Sequence, residues 1–268
     1  MLSKIIAFLK RDFKSEVSYR FSFLMNLFSI LFSIATFFFL SKLIGKSVGF
    51  QLKEYGGDYF SFVLIGIAFS SFLGTGLSSF SSTISGAQSE GTLEAMLITP
   101  TKVSGIIVMA SLWDFLMTAF DVILYLALGS LLFGVNLSKA NVPGALLVLI
   151  LTVTAFSGLG IISASFIMVL KRGDPINWLF GTFSSFVGGT FFPITVLPVW
   201  LQKMAYLFPI FYALRAMRHA VLQGFSFMAL LPDIAALALF SLIILPISMV
   251  AFKKAIKFAK TDGSLVTY

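Results

Sequence analysis

Six long apolar stretches leave this chain few ways to fold. A hydrocarbon core about 30 Å thick is crossed by about 20 apolar residues of helix rising 1.5 Å each. Residues 21–44, 59–84, 105–135, 144–170 and 234–252 meet that length, and 176–197 does so too, although Pro193 and Pro198 interrupt its far end. Backbone polar groups in lipid must be satisfied internally, and helices do this within one segment. The sequence therefore predicts an all-α integral membrane protein with six transmembrane helices.

The composition excludes most alternatives. Of 268 residues 58% are hydrophobic and only 11% charged, and the mean hydropathy is +1.00; a water-soluble domain carries about 25% charged residues. The net charge of +8, on a chain this apolar, points to anionic lipid headgroups rather than nucleic acid. With no Cys and one His, disulfides, thiol chemistry and Cys/His zinc sites are out, and no metal site is expected.

The segments between and before the spans carry their own patterns. Over 198–223, two apolar runs of 10 and 12 residues are separated by Pro209 and carry Lys203, Arg215, Arg218 and His219. Each is too short to cross, which predicts two short re-entrant or outer helices between the fifth and sixth spans. Residues 1–20 place Leu2, Ile5, Ile6, Leu9, Phe13 and Val17 at helical spacing among basic residues, the pattern of an amphipathic helix on the membrane surface and not of a signal peptide. With six spans, one side receives 12 Lys and Arg and the other 7. The positive-inside bias then puts both termini in the cytoplasm.

Three groups of polar residues stand out inside this apolar frame. Ser70, Gly74, Ser78, Ser82 and Gly86 recur every fourth residue along the second span, with Ser71, Thr75, Ser79 and Thr83 beside them. Such a stripe admits another backbone closely, as ordinary helix packing or as a wall of a translocation route. Asp114 and Asp121 lie seven residues apart in the third span, where a carboxylate needs a partner, a proton or water. Arg215, Arg218 and His219 share one helix face, suited to substrate phosphate or carboxylate or to lipid headgroups. Between the second and third spans, the 85–104 loop is long enough for a short helix before Pro100. Either its Leu93, Met96 and Leu97 form a small apolar face for a soluble partner, or the segment is a plain connecting turn.

No motor is encoded. Gly45-Lys46-Ser47 lacks the glycine a phosphate loop needs at position 40, which is Leu40. No hydrolase or metalloprotease motif occurs either, so no catalytic residue is assigned.

The order of the remaining motifs resembles the ABC-2 type family of ABC exporter permeases. The motifs are Glu90-Gly91-Thr92-Leu93-Glu94 followed by Thr99-Pro100, then Lys171-Arg172-Gly173-Asp174-Pro175, Phe192-Pro193-Ile194, Leu197-Pro198, and Pro209 with Tyr212-Ala213-Leu214. The resemblance covers essentially the whole chain. It implies a single permease domain over 1–268 in the cell membrane, working with two copies of a separate ABC ATPase that binds ATP and Mg. It further implies a homodimer or a pair of related halves, with Glu90, Gly91, Thr92, Leu93, Glu94, Thr99 and Pro100 forming the coupling helix that meets the ATPase. The cargo class it allows is broad: lipid-linked, glycan, drug-like or otherwise amphipathic compounds. Composition alone leaves two other classes open. One is a proton-coupled secondary carrier using Asp114 and Asp121; the other is a non-transporting membrane assembly subunit.

Overall fold

The computed structural model describes residues 2–48, 51–92, 103–170 and 174–261. Among these residues every regular element is helical. We label the helices α1 (Leu2–Ser18), α2 (Arg20–Val48), α3 (Tyr59–Ser89), α4 (Val103–Phe133), α5 (Val142–Leu170), α6 (Pro175–Val187), α7 (Val199–Ala205), α8 (Pro209–Leu222) and α9 (Phe227–Thr261). α1 packs on the start of α4, where the Phe13 and Trp113 rings meet edge-on at 6.1 Å. α2, α3, α4 and α5 then run alternately away from and back to this α1 end.

Five helices among the described residues are long and apolar enough to cross a membrane. They are α2, α3, α4, α5 and α9, and their cores coincide with five of the six stretches expected. The loop expected at 85–104 is shorter than its polarity suggests, because α3 continues to Ser89. The Ser85 carbonyl accepts from the Ser89 hydroxyl at 2.9 Å, so these serines remain within the helix. α9 starts seven residues before the expected 234 and absorbs Pro232 and Asp233.

The expected sixth span is the main departure. α6 has 13 residues, about 20 Å of helix, and does not reach 197. It ends at Gly188, followed by Gly189 at φ +77°. A Cβ at Gly188 would sit 2.6 Å from Ile210 Cδ1, so α8 packs against the chain where the helix stops. Residues 194–196 then form one 3-10 turn after Pro193. α6 still carries the chain from the α1 end toward the opposite one. Asp174 caps its first turn by accepting from Asn177 N at 2.9 Å, with Pro175 at the first helical position. The Ser163 hydroxyl, seven residues before the end of α5, also donates to Asp174. At the other end of α6, Thr190 Oγ1 lies 3.0 Å from Ser70 Oγ, well inside α3.

α7 and α8 form a V that dips into the bundle from the end opposite α1. Phe208, at its tip, packs against Phe180 and Phe183 of α6 with centroids 5.8 Å apart. At the top, the Ala220 carbonyl accepts from Asn141 N at 2.8 Å, level with the start of α5. The central core joins Phe69 and Leu77 of α3, Phe156 of α5, Met217 of α8 and Leu237 of α9. Lipid competes equally for apolar side chains, so close packing and polar contacts hold such helices together. α3 and α5 approach each other closely through glycines. A Cβ at Gly160 would fall inside contact distance of the Gly76 carbonyl oxygen, and one at Gly76 would lie 2.7 Å from Phe156 Cβ.

Candidate functional site

The basic face of α8 is turned onto the protein. Arg218 is 3% exposed. Its Nη2 donates to the carbonyls of Gly189 (2.8 Å) and Thr190 (3.0 Å), and its Nε to that of Phe62 (3.2 Å). The guanidinium lies 3.5 Å from the centroid of the Phe62 ring. A Cβ at Gly66 would come within 2.6 Å of Arg218 Nη2, so glycine is what leaves the space. Burial pulls the Arg218 pKa down to about 9. One side chain thus closes the orphan carbonyls after α6 and ties them to α3.

Arg215 pairs with Asp233, through Nε at 3.0 and 3.2 Å and through Nη2. Asp233 is 5% exposed, and this pairing is why α9 can begin before a carboxylate. His219 is sandwiched by Phe225 (4.5 Å between ring centroids) and Tyr55 (5.4 Å). Its Nδ1 lies 2.8 Å from Gln223 Oε1, and its Nε2 is 3.8 Å from Glu54. Burial, reinforced by Glu54, pushes the Tyr55 hydroxyl up to about 12. Arg215, Arg218 and His219 therefore all have protein partners. Glu54, Tyr55, Gln223 and Asp233 complete this network, and the sequence reading did not single them out. Asp233 carried a signal, being an acid at the edge of an apolar run.

The two files of small residues on α3 divide their work. Thr75 Oγ1 lies 2.6 Å from Thr118 Oγ1, and Ser79 donates to Asp114, so this file bonds α3 to α4. In the expected stripe, Ser70 meets Thr190, but Ser78 and Ser82 turn back onto α3 carbonyls at 2.7 and 3.0 Å. Gly74 and Ser82 are exposed, and an added Cβ at Gly74 meets nothing within 4 Å. α3 thus meets α5 tightly through Gly76 and Gly160, while along the Gly74–Ser78–Ser82 line Gly74 and Ser82 stay exposed and Ser78 half-buried in the single chain. Asp114 and Asp121 also separate. Asp121 accepts from Asn26 Nδ2 of α2 at 2.8 Å, whereas Asp114 faces α3.

A polar cavity of about 440 Å³ opens at the α1 end, among Arg11, Asp12, Glu16, Glu90, Thr92 and Asp114. α3 terminates there. Gly91 takes φ +68°, and Thr92 N donates to the Ala87 carbonyl at 2.9 Å, closing the helix. Glu90 and Thr92 of the expected coupling segment thus line this cavity, with Gly91 between them in the chain. Leu93, Glu94, Thr99 and Pro100 lie outside the described residues.

The model of the family described as "ABC-2 type transporter" matches residues 3–222. That stretch takes in α1 through α8. This chain belongs to the ABC-2 type transporter family. The domain is a transport permease rather than a catalytic domain, and with its spanning helices the chain is a multi-pass membrane protein. No curated protein matches the chain significantly. Members of the ABC-2 family normally work with an ABC ATPase, which gives the α3 terminus and its cavity their interest.

Proposed function

We propose that this ABC-2 permease is the membrane half of an ATP-driven exporter of an amphipathic cargo. Two copies of the chain assemble with two ATPase subunits in the cell membrane, with both chain termini cytoplasmic. ATP and Mg bind on the ATPase. The observation that carries the reading is the family match over residues 3–222, joined to the absence of any phosphate loop in the sequence. The partly exposed Gly74–Ser78–Ser82 line supports a close helix partner outside the single chain, because small residues let backbones approach. The end of α3 at Glu90–Thr92 supports the 90–100 stretch as the contact with the motor. In this reading ATP-driven closure of the ATPases presses that stretch and shifts α3 against its partner.

The test is reconstitution. The permease is co-expressed with a Walker-motif ABC ATPase from the same source, and the complex is placed in liposomes. ATP hydrolysis stimulated by the permease is expected, and Glu94→Arg or Leu93→Asp should abolish the stimulation. Transport by the permease alone, or coupling unchanged in both variants, removes this assignment.

A further inference from the structure

An apolar groove of about 500 Å³ opens at the elbow where α1 meets α2. The helix breaks at Tyr19, and Phe13, Val17, Phe23 and Leu24 converge there on Trp113 and Phe120 of α4. The charged residues lining it are Arg20 and Glu16. Glu16 also lines the polar cavity beside it. Arg20 makes no ion pair or hydrogen bond from its side chain among the described residues. The surrounding segment is basic, with five Lys and Arg against two acids between residues 4 and 20.

We propose that this groove is a resident lipid site, holding one acyl chain of an anionic phospholipid whose phosphate rests on Arg20. The volume falls within the usual range for a small-molecule pocket, and its walls are almost wholly hydrocarbon, which disfavours water. An acyl chain leaving the bilayer for the groove gains no hydrophobic driving force, since hydrocarbon already surrounds it. Selection among lipids therefore falls to the headgroup. A free guanidinium is the side chain best matched to phosphate, through two parallel hydrogen bonds. Glu16 turns toward the neighbouring cavity as well, and Lys10 and Lys14 on α1 keep the local charge positive. A lipid seated here braces α1 against α4, because Phe13 and Trp113 form part of one wall.

Trp113 is a built-in reporter. Trp178→Phe with Trp200→Phe leaves it as the sole tryptophan. The full chain is placed in phosphatidylcholine nanodiscs with rising fractions of dibromostearoyl phosphatidylglycerol or dibromostearoyl phosphatidylcholine, whose bromines quench tryptophan on contact. Half-quenching by the anionic lipid is expected at a fraction about fivefold lower, the factor one basic side chain supplies at an anionic surface. Arg20→Gln should erase the difference, and Arg20→Lys should keep most of it. Equal quenching by both lipids overturns the proposal, and so does a preference that survives Arg20→Gln. Protection of Trp113 from both lipids also overturns it, by assigning the groove to a protein occupant such as a second copy.

Discussion

Nη2 of Arg218 donates to the Thr190 carbonyl at 3.0 Å, across the gap that Gly66 leaves between α3 and the end of α6. This contact joins three elements that are remote in sequence. Lysine at position 218 keeps the charge but offers a single point of donation in place of a fork. Arg218→Lys should therefore lose at least one charge-assisted bond and leave a buried carbonyl unpaired. The expected loss is about 2–3 kcal/mol, a fall of about 5–10 °C in Tm. Thermal unfolding of purified protein in detergent measures it. Gly66→Ala should act in the same direction, by pushing Thr190 and Arg218 apart.

These relationships explain what could be read from the sequence. Spans such as 144–170 are legible because length and hydropathy alone decide them, and α5 is Val142–Leu170. α6 is different, since its stop depends on Ile210 and Arg218, which lie over 20 residues further on. The apolar stretch that marks α9 in the sequence opens at 234, just after Asp233, and a lone carboxylate is costly in lipid. Its partner Arg215 sits on another helix and removes that cost. For the same reason Arg215, Arg218 and His219 read as a free basic face. Periodicity shows which residues share a face, but not what covers it.

The glycines of α3 and α5 separate packing within the chain from packing beyond it. Gly160→Ala places a methyl against the Gly76 carbonyl, and overpacking of this kind costs about 1–3 kcal/mol. It should lower Tm in the isolated chain. Gly74→Ala meets nothing within 4 Å and should leave that Tm unchanged. Gly74→Leu should weaken self-association, read by crosslinking or by mass in nanodiscs. Normal dimerisation of Gly74→Leu would take this line of α3 out of the assembly.

Asp114 and Asp121 each face a neutral partner, Ser79 and Asn26. Asparagine can still accept those bonds, so Asp114→Asn and Asp121→Asn should preserve folding. With an ATPase as the motor, ATP-driven export should persist in both variants, within about tenfold of the parent. Transport by the permease alone under a proton gradient, lost on either substitution, would instead identify a secondary carrier.

The Arg215–Asp233 pair ties the V of α7 and α8 to the start of α9. Asp233 is almost fully buried and Arg215 about a quarter exposed, so removing one partner leaves the other charge uncompensated. Arg215→Met or Asp233→Leu alone should cost about 3 kcal/mol. The double variant carries neither charge, and replacing a buried pair by apolar residues is often nearly neutral. It should therefore cost no more than either single variant, about 3 kcal/mol, which is a coupling of at least about 3 kcal/mol between the sites. A thermal double-mutant cycle on the purified chain measures this. Additive losses would mean that each residue is held by its own surroundings, the aromatic rings of Phe211 and Tyr212 in the case of Arg215, and that α8 and α9 are joined by packing instead of charge.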